Sequence, residues 1–512
     1  MIFFVNPHLI TEAGDPHTGI PIMPVMMVYA YTVAKNKGIE VAGVDCVGED
    51  PLYMRLGSCG FTAQGLDERH ILKRVPKEPR LIALYSRSIA SFISIEVLIK
   101  EFQRNFPKSK IAILENTQAV TSHNLAYTKD LLFKAGADYV LEGDPDAQID
   151  KLYYAVLGQM DWRRVPGLWS KNEPYRQPEK NVGMADLDEL PIPDWEAVRY
   201  QGYWELRYAH GPAPKPFMSV VTSRGCPFSC AFCSVPSLNN RKWRAHSAEY
   251  VADLMTHHQK KYGVDAFQWE DLNPTSSEKR IIRVTELIRE RGLKFNWATV
   301  SGTKIETLSE NTVKAMVASG CNYLSFSPES GSKEHLRKRM NKPFDHDHAL
   351  RLAGEISRLN VPVQACFVIG YPGETDSDFN DTADYIKKLS RAGVNEILVM
   401  MATPIPGTKL AKDHPEAADE RKAHEYTMAA RHQKNFSKLI RQRNYLYLTF
   451  FLQKLLNDPR YFITFFIKVI TRDFETKAQQ AVYRILWWNF IKIKSRIRGR
   501  KLPPLWESII NG

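Results

Sequence analysis

Cysteine is scarce, with seven in 512 residues, and the odd number forbids complete pairing into disulfides. A disulfide scaffold is therefore excluded. The chain lacks any run of about 18 uncharged apolar residues, so no conventional spanning helix is expected. The opening stretch MIFFVNPHLI has neither the basic segment nor the small-residue cleavage site of a signal peptide. No G-x-G-x-x-G follows the first strand-like run, which disfavours a bound dinucleotide. Disorder is excluded too, because 44% apolar and 25% charged residues is the balance of a chain that buries a core. The expected setting is a reducing cytoplasm, where closely spaced cysteines bind metal or do redox work.

Three of the seven cysteines fall within eight residues, in SRGCPFSCAFCS (223–234). Structural zinc would need a fourth ligand, usually from a second C-x2-C pair, and none is present. Cys321 and Cys366 lie inside apolar strand-like runs, where a lone cysteine behaves as a small hydrophobe. Three thiolates from Cys226, Cys230 and Cys233 would instead leave one iron of a 4Fe–4S cluster without a protein ligand. C-x3-C-x2-C, with Phe232 before the last cysteine, resembles the signature of the radical S-adenosylmethionine (SAM) superfamily. The resemblance implies that the open iron chelates SAM, which is then cleaved to a 5′-deoxyadenosyl radical.

Downstream of the cysteines, apolar strand-like runs alternate with helical periods. Six strands are expected between residues 217 and 408, separated by helices near 248–263, 278–292, 309–320, 348–360 and 376–393. The pattern argues for a parallel α/β partial barrel, whose chemistry sits at the carboxyl ends of its strands. By resemblance, WEDLNPT (269–275) offers Glu270 or Asp271 to the SAM amino group. SPESGS (327–332) offers Glu329 and Ser330 to its ribose or amino-acid portion, and VIGYPGET (368–375) offers Gly370 and Gly373 beside the adenine. Each stretch is also ordinary turn chemistry.

Upstream, five short apolar strands alternate with four helical stretches over residues 1–160, the pattern of a doubly wound, Rossmann-like sheet. With a linker at 161–210 containing LDELPIPDW, the barrel at 211–410 and a helical region at 411–512, this order resembles the cobalamin-binding branch of the superfamily, whose class B members are methyltransferases. One departure weighs against cobalamin. The fourth-strand turn, LENTQAVTSHN (114–124), has no glycine where that branch commonly has two, and a Cβ there crowds a macrocycle.

The last hundred residues differ in kind. From Arg421 onward there are nineteen Lys plus Arg against five Asp plus Glu, a net of +14, while the whole chain is +12. Aromatic residues occur there in blocks with Leu, Ile and Val, which speaks against nucleic acid and for a packed helical domain or an anionic membrane surface. NDPR (457–460) divides the longest apolar stretch into pieces too short to span a bilayer. Lys454, Lys468 and the basic cluster 492–501 are expected to face lipid headgroups.

What the resemblance implies is cobalamin-dependent methylation of an unactivated carbon, with the 4Fe–4S cluster, SAM and cobalamin as cofactors. Expected partners are a small-molecule or lipid-linked substrate, an electron donor such as flavodoxin or ferredoxin, and the inner face of the membrane. Two other readings stay open. One is a cobalamin-free radical SAM cyclase, rearrangement or coupling enzyme. The other is a non-catalytic iron–sulfur carrier or binding protein.

Overall fold

Strands covered on both faces need apolar side chains at successive positions, and Ile2–Asn6 supplies them. Ile2 and Phe4 point into one core, beside the helix Val25–Asn36, while Phe3 and Val5 point into another, beside the helix Phe92–Asn105. In the computed structural model, which describes residues 1–12, 19–57, 60–119, 122–212, 216–415 and 435–511, this strand is the second of a six-stranded sheet. Its members are β1 (Ile2–Asn6), β2 (Val41–Asp45), β3 (Leu81–Ser86), β4 (Lys110–Glu115), β5 (Tyr139–Leu141) and β6 (Leu168–Ser170). The order is β2-β1-β3-β4-β5-β6, parallel except for the last pair. Its sixth strand comes from the stretch expected to be linker.

The second sheet contains β7 (Phe217–Val220), β8 (Ala266–Trp269), β9 (Asn296–Thr303), β10 (Cys321–Glu329), β11 (Val363–Ile369) and β12 (Glu396–Met401). All pairings are parallel and run in chain order, and β7 does not pair with β12. The result is a barrel open along one side. The five crossover helices start where the sequence writes a cap. Ser247, Ser277, Ser309, Asp345 and Thr375 each accept a hydrogen bond from the backbone N–H three residues on.

The carboxy-terminal helices occupy the open side. Phe436–Asn457 lies along β12 and the helix Asp376–Arg391, and Pro459 then breaks the chain direction before Arg460–Thr471. Lys477–Ile497 packs against the short strand Met54–Leu56 of the amino-terminal part. Pro504–Asn511 packs on the helix Phe92–Asn105, with Trp506 Nε1 donating to Glu68 Oε1 at 2.9 Å. Among the described residues no helix is long and apolar enough to cross a membrane.

The tail corrects one expectation. Lys454 does not face outward. It is 3% exposed, stacked over Tyr461, and burial pushes its ammonium down to about 8. Lys468 is held locally by Asp473 and Glu475. The start of the basic region, 421–434, lies outside the described residues.

Candidate functional site

The loop after β7 is fixed from outside. The Ala231 N–H donates to the Met340 carbonyl, the Leu410 N–H to the Ala231 carbonyl, and Asn341 Nδ2 to the Ser229 carbonyl, all at 2.8 to 2.9 Å. Cys226, Cys230 and Cys233 are free thiols on the wall of a cavity of about 680 Å³. Asn273 Nδ2 lies 4.0 Å from the Cys226 sulfur. Burial pushes all three thiols up, partly countered by the nearby Lys342 ammonium. No group of three His, Cys, Asp or Glu side chains among the described residues is arranged to hold a single metal ion. Three unpaired thiols opening to one cavity, with cations beside them to offset thiolate charge, fit an iron–sulfur cluster as donor set.

The six strand-end residues separate into two kinds. Glu270 lines the cavity, its carboxylate 2.6 Å from His210 Nδ1 and accepting from Ser219 Oγ at 3.2 Å. Asp271 points the other way. It is fully buried and accepts from the Thr222 N–H, Thr222 Oγ1 and Ser223 Oγ at 2.6 to 3.0 Å, which pins the start of the cysteine loop to β8. Glu329 also lines the cavity, on a left-handed backbone at φ +66°. Its Oε1 accepts from Lys342 Nζ at 2.7 Å, while its buried Oε2 has no partner.

Ser330, Gly370 and Gly373 stand away from the cavity wall. Ser330 shares a hydrogen bond with Thr382 Oγ1 at 3.0 Å, tying β10 to a crossover helix. Gly370 has φ +73°, and a Cβ there would meet Leu439 Cδ2 at 2.6 Å. The close approach it permits is thus to the helix Phe436–Asn457. Gly373, at φ +80°, sits against the Arg339 guanidinium.

The cavity continues beyond the barrel. Arg87 after β3, and Asn116, Gln118 and Ala119 after β4, form part of its wall. Arg87 Nη1 and Gln118 Oε1 are buried without partners, as expected where a polar ligand completes the site. Thr117 Oγ1 donates to Asp144 Oδ1 at 2.5 Å, and Asn239 Nδ2 to the Thr117 carbonyl at 3.0 Å, so this glycine-free turn is braced from both domains.

Several wall residues were not legible in sequence. Lys342 and His210 belong to no strand end. Glu396, at the start of β12, accepts from Tyr323 OH, Gln364 Nε2 and the Lys477 N–H. Trp269 and Trp297 stack on each other at 4.4 Å in the core.

The profile of the radical SAM superfamily matches residues 220–386, from the end of β7 through the helix after β11. Residues 220–386 thus carry a radical SAM domain. It is 29% identical over 274 residues to an uncharacterized methyltransferase of Pyrococcus horikoshii, covering 53% of this chain and 57% of that one. It is 28% identical over 237 residues to the cytidylyl-2-hydroxyethylphosphonate methyltransferase of Streptomyces wedmorensis, covering 45% and 43%. The matches span about half the length of these curated relatives.

Among solved structures, this chain shares its fold with the radical SAM methyltransferase TsrM of Kitasatospora setae, a structure with cobalamin and a 4Fe–4S cluster bound. The TM-score is 0.61 at 16% identity, over 81% of this chain and 77% of that one. The cobalamin-dependent enzyme OxsB, with aqua-cobalamin bound, gives 0.58 at 13%, over 83% and 56%. Both likenesses cover most of this chain, and the α/β architecture with two sheets and a helical carboxy-terminal region is the expected one.

Proposed function

We propose that the protein is a cobalamin-dependent radical SAM methyltransferase acting on an unactivated carbon. One observation carries this reading: the three thiols, two strand-end carboxylates and the loops of the amino-terminal sheet all open onto a single cavity. Cys226, Cys230 and Cys233 would hold the cluster, Glu270 and Glu329 would meet SAM, and the loops bearing Arg87 and Gln118 would meet cobalamin. Bound there, these groups would supply a carbon-centred radical and a transferable methyl group. The chain's own contribution is orientation and exclusion of water. Lys342 fixes Glu329 so that its second oxygen stays open to a donor, while His210 and Ser219 hold one oxygen each of Glu270 and set its orientation. Val368, Met400 and Met401 give part of the wall an apolar surface, which keeps water from a reactive centre.

A reduced flavodoxin or ferredoxin is the proposed electron source. The proposed location is cytoplasmic, with peripheral attachment to the inner face of the membrane. Support comes from the tail, where fourteen of the eighteen exposed large apolar side chains among the described residues lie between Tyr445 and Ile497. Exposed Lys494, Arg496 and Arg498 lie among them on the helix Lys477–Ile497 and its end. An apolar face bordered by cations suits an anionic bilayer surface.

The test is anaerobic turnover of the reconstituted protein with SAM, a reductant and hydroxocobalamin. S-adenosylhomocysteine formed alongside 5′-deoxyadenosine, with cobalamin retained after desalting, is the expected result. Deoxyadenosine alone, with no cobalamin retained, would move the assignment to the cobalamin-free reading. For the location, the full chain should pellet with anionic vesicles, stay in solution with neutral ones, and be released as salt rises.

A further inference from the structure

The helices that close the barrel carry apolar side chains on the outside and a mixture of apolar and cationic ones toward the cavity. In Phe436–Asn457, Arg443, Tyr447 and Phe451 are spaced four residues apart and line the cavity. Leu448, Leu452, Leu455 and Leu456 of the same helix are roughly half exposed or more. Lys477–Ile497 repeats the arrangement, with Lys477, Gln480, Ala481 and Arg484 on the cavity wall and Leu486, Phe490, Ile493 and Ile497 outside. Here a single helix layer separates the cavity from the outer apolar face.

Among the described residues, Arg443 on this wall has no acidic partner. Glu396 is taken by Tyr323, Gln364 and the backbone of Lys477 and Ala478. Lys477 Nζ donates to the Val300 carbonyl. Glu329 is paired with Lys342, and Glu270 with His210. Arg443 is 9% exposed, and its Nη1 is buried with no partner. No described residue forms an ion pair with it. A buried guanidinium without a counter-charge is costly, and its planar fork matches a carboxylate or phosphate.

We infer that the cavity takes an amphiphilic substrate, a hydrocarbon body with an anionic headgroup, and that Arg443 receives the headgroup. This deepens the proposed function, and it relies on the membrane reading only for the route of entry. An anion of SAM or cobalamin, or free phosphate, is the competing occupant, and the experiment separates these.

The reconstituted full chain would be titrated calorimetrically with dodecyl phosphate, dodecyl glucoside and inorganic phosphate, with and without saturating SAM and hydroxocobalamin. Dodecyl phosphate should bind at least tenfold tighter than the glucoside, and inorganic phosphate should not compete at equal concentration. Arg443→Met should bring the two detergents to parity, while Arg443→Lys keeps part of the preference and reports that the wall still folds. Pelleting of Arg443→Met with anionic vesicles should be unchanged, because the residue faces inward. Parity in the wild type, competition by inorganic phosphate, or loss of dodecyl phosphate binding when the cofactors are present would each overturn the inference. Failure of the wild type to pellet, with the tenfold preference intact, would count against the membrane reading and still support the ligand class.

Discussion

Arg224, two residues ahead of Cys226, grips Asp146 of the amino-terminal part through both prongs of its guanidinium, Nη1 to Oδ1 at 3.0 Å and Nη2 to Oδ2 at 2.6 Å. Nη1 also reaches Asp144 Oδ2 at 3.0 Å, and all three side chains are almost wholly buried. The cysteine loop is therefore bolted to the first sheet by charge, in a place where water cannot substitute. Replacing Arg224 with Met leaves buried Asp146 without its cation, while Asp144 keeps only Arg244, at 2.8 Å. The expected loss is about 3–5 kcal/mol in denaturant unfolding, with Arg224→Lys intermediate because a point charge cannot make the forked pair. An unchanged midpoint for Arg224→Met would show that the interface rests on other contacts.

Glu270 and Asp271 are neighbours with opposite duties. Glu270→Gln should unfold within about 1 kcal/mol of the wild type, since it removes charge at a cavity wall and keeps the shape. SAM affinity, read by equilibrium dialysis, should drop at least tenfold. Asp271→Ala should instead cost roughly 3 kcal/mol, because it orphans three buried donors at the root of the cysteine loop. Equal effects of the two changes on stability would refute the division.

The cysteine loop makes a stoichiometric prediction. Anaerobic reconstitution should load about four irons per chain at Cys226, Cys230 and Cys233. The triple change to Ala should remove both the iron and the 5′-deoxyadenosine product, while the circular dichroism spectrum stays that of the wild type. Iron retained by the triple variant would place the cluster elsewhere.

Glu374 accepts from the Gly370 N–H at 2.7 Å, and burial pushes its carboxyl up to about 7. Between about pH 4.5 and 7 the unfolded chain has lost this proton while the folded chain keeps it. Stability must therefore fall as pH rises through that window and level off above it. Glu374→Gln should remove roughly 2–3 kcal/mol of the decline between pH 5 and 8, measured by urea midpoints at each pH. Parallel pH profiles for the two proteins would assign the decline to other groups.

Much of the fold could be read locally. Each parallel strand is a short apolar run, and each crossover helix of the barrel is announced by a Ser, Asp or Thr whose side chain closes the first turn. The three cysteines are legible because one loop carries them all. Which of Glu270 and Asp271 faces inward was not legible, since successive strand residues alternate sides and the answer turns on where β8 ends. Arg443 and Lys477 lie far along the chain from the strands they face, and no local spacing signals that. The misplacement of Lys454 has the same origin. Apolar residues on every side of Phe436–Asn457 leave its buried face undefined by pattern, and only the packed neighbour Tyr461 decides it.

The wall that completes the cavity lies later in the chain than everything it encloses. During synthesis, which runs from the amino terminus, residues 1–415 leave the ribosome first, and both sheets can form before helices 436–457 and 477–497 exist. At that stage the side of the barrel between β7 and β12 stands open, and the three thiols are reachable through it. If the proposed cluster and cofactor are loaded at that stage, no finished wall has to be prised apart. The late helices act as a door hung after the room is furnished.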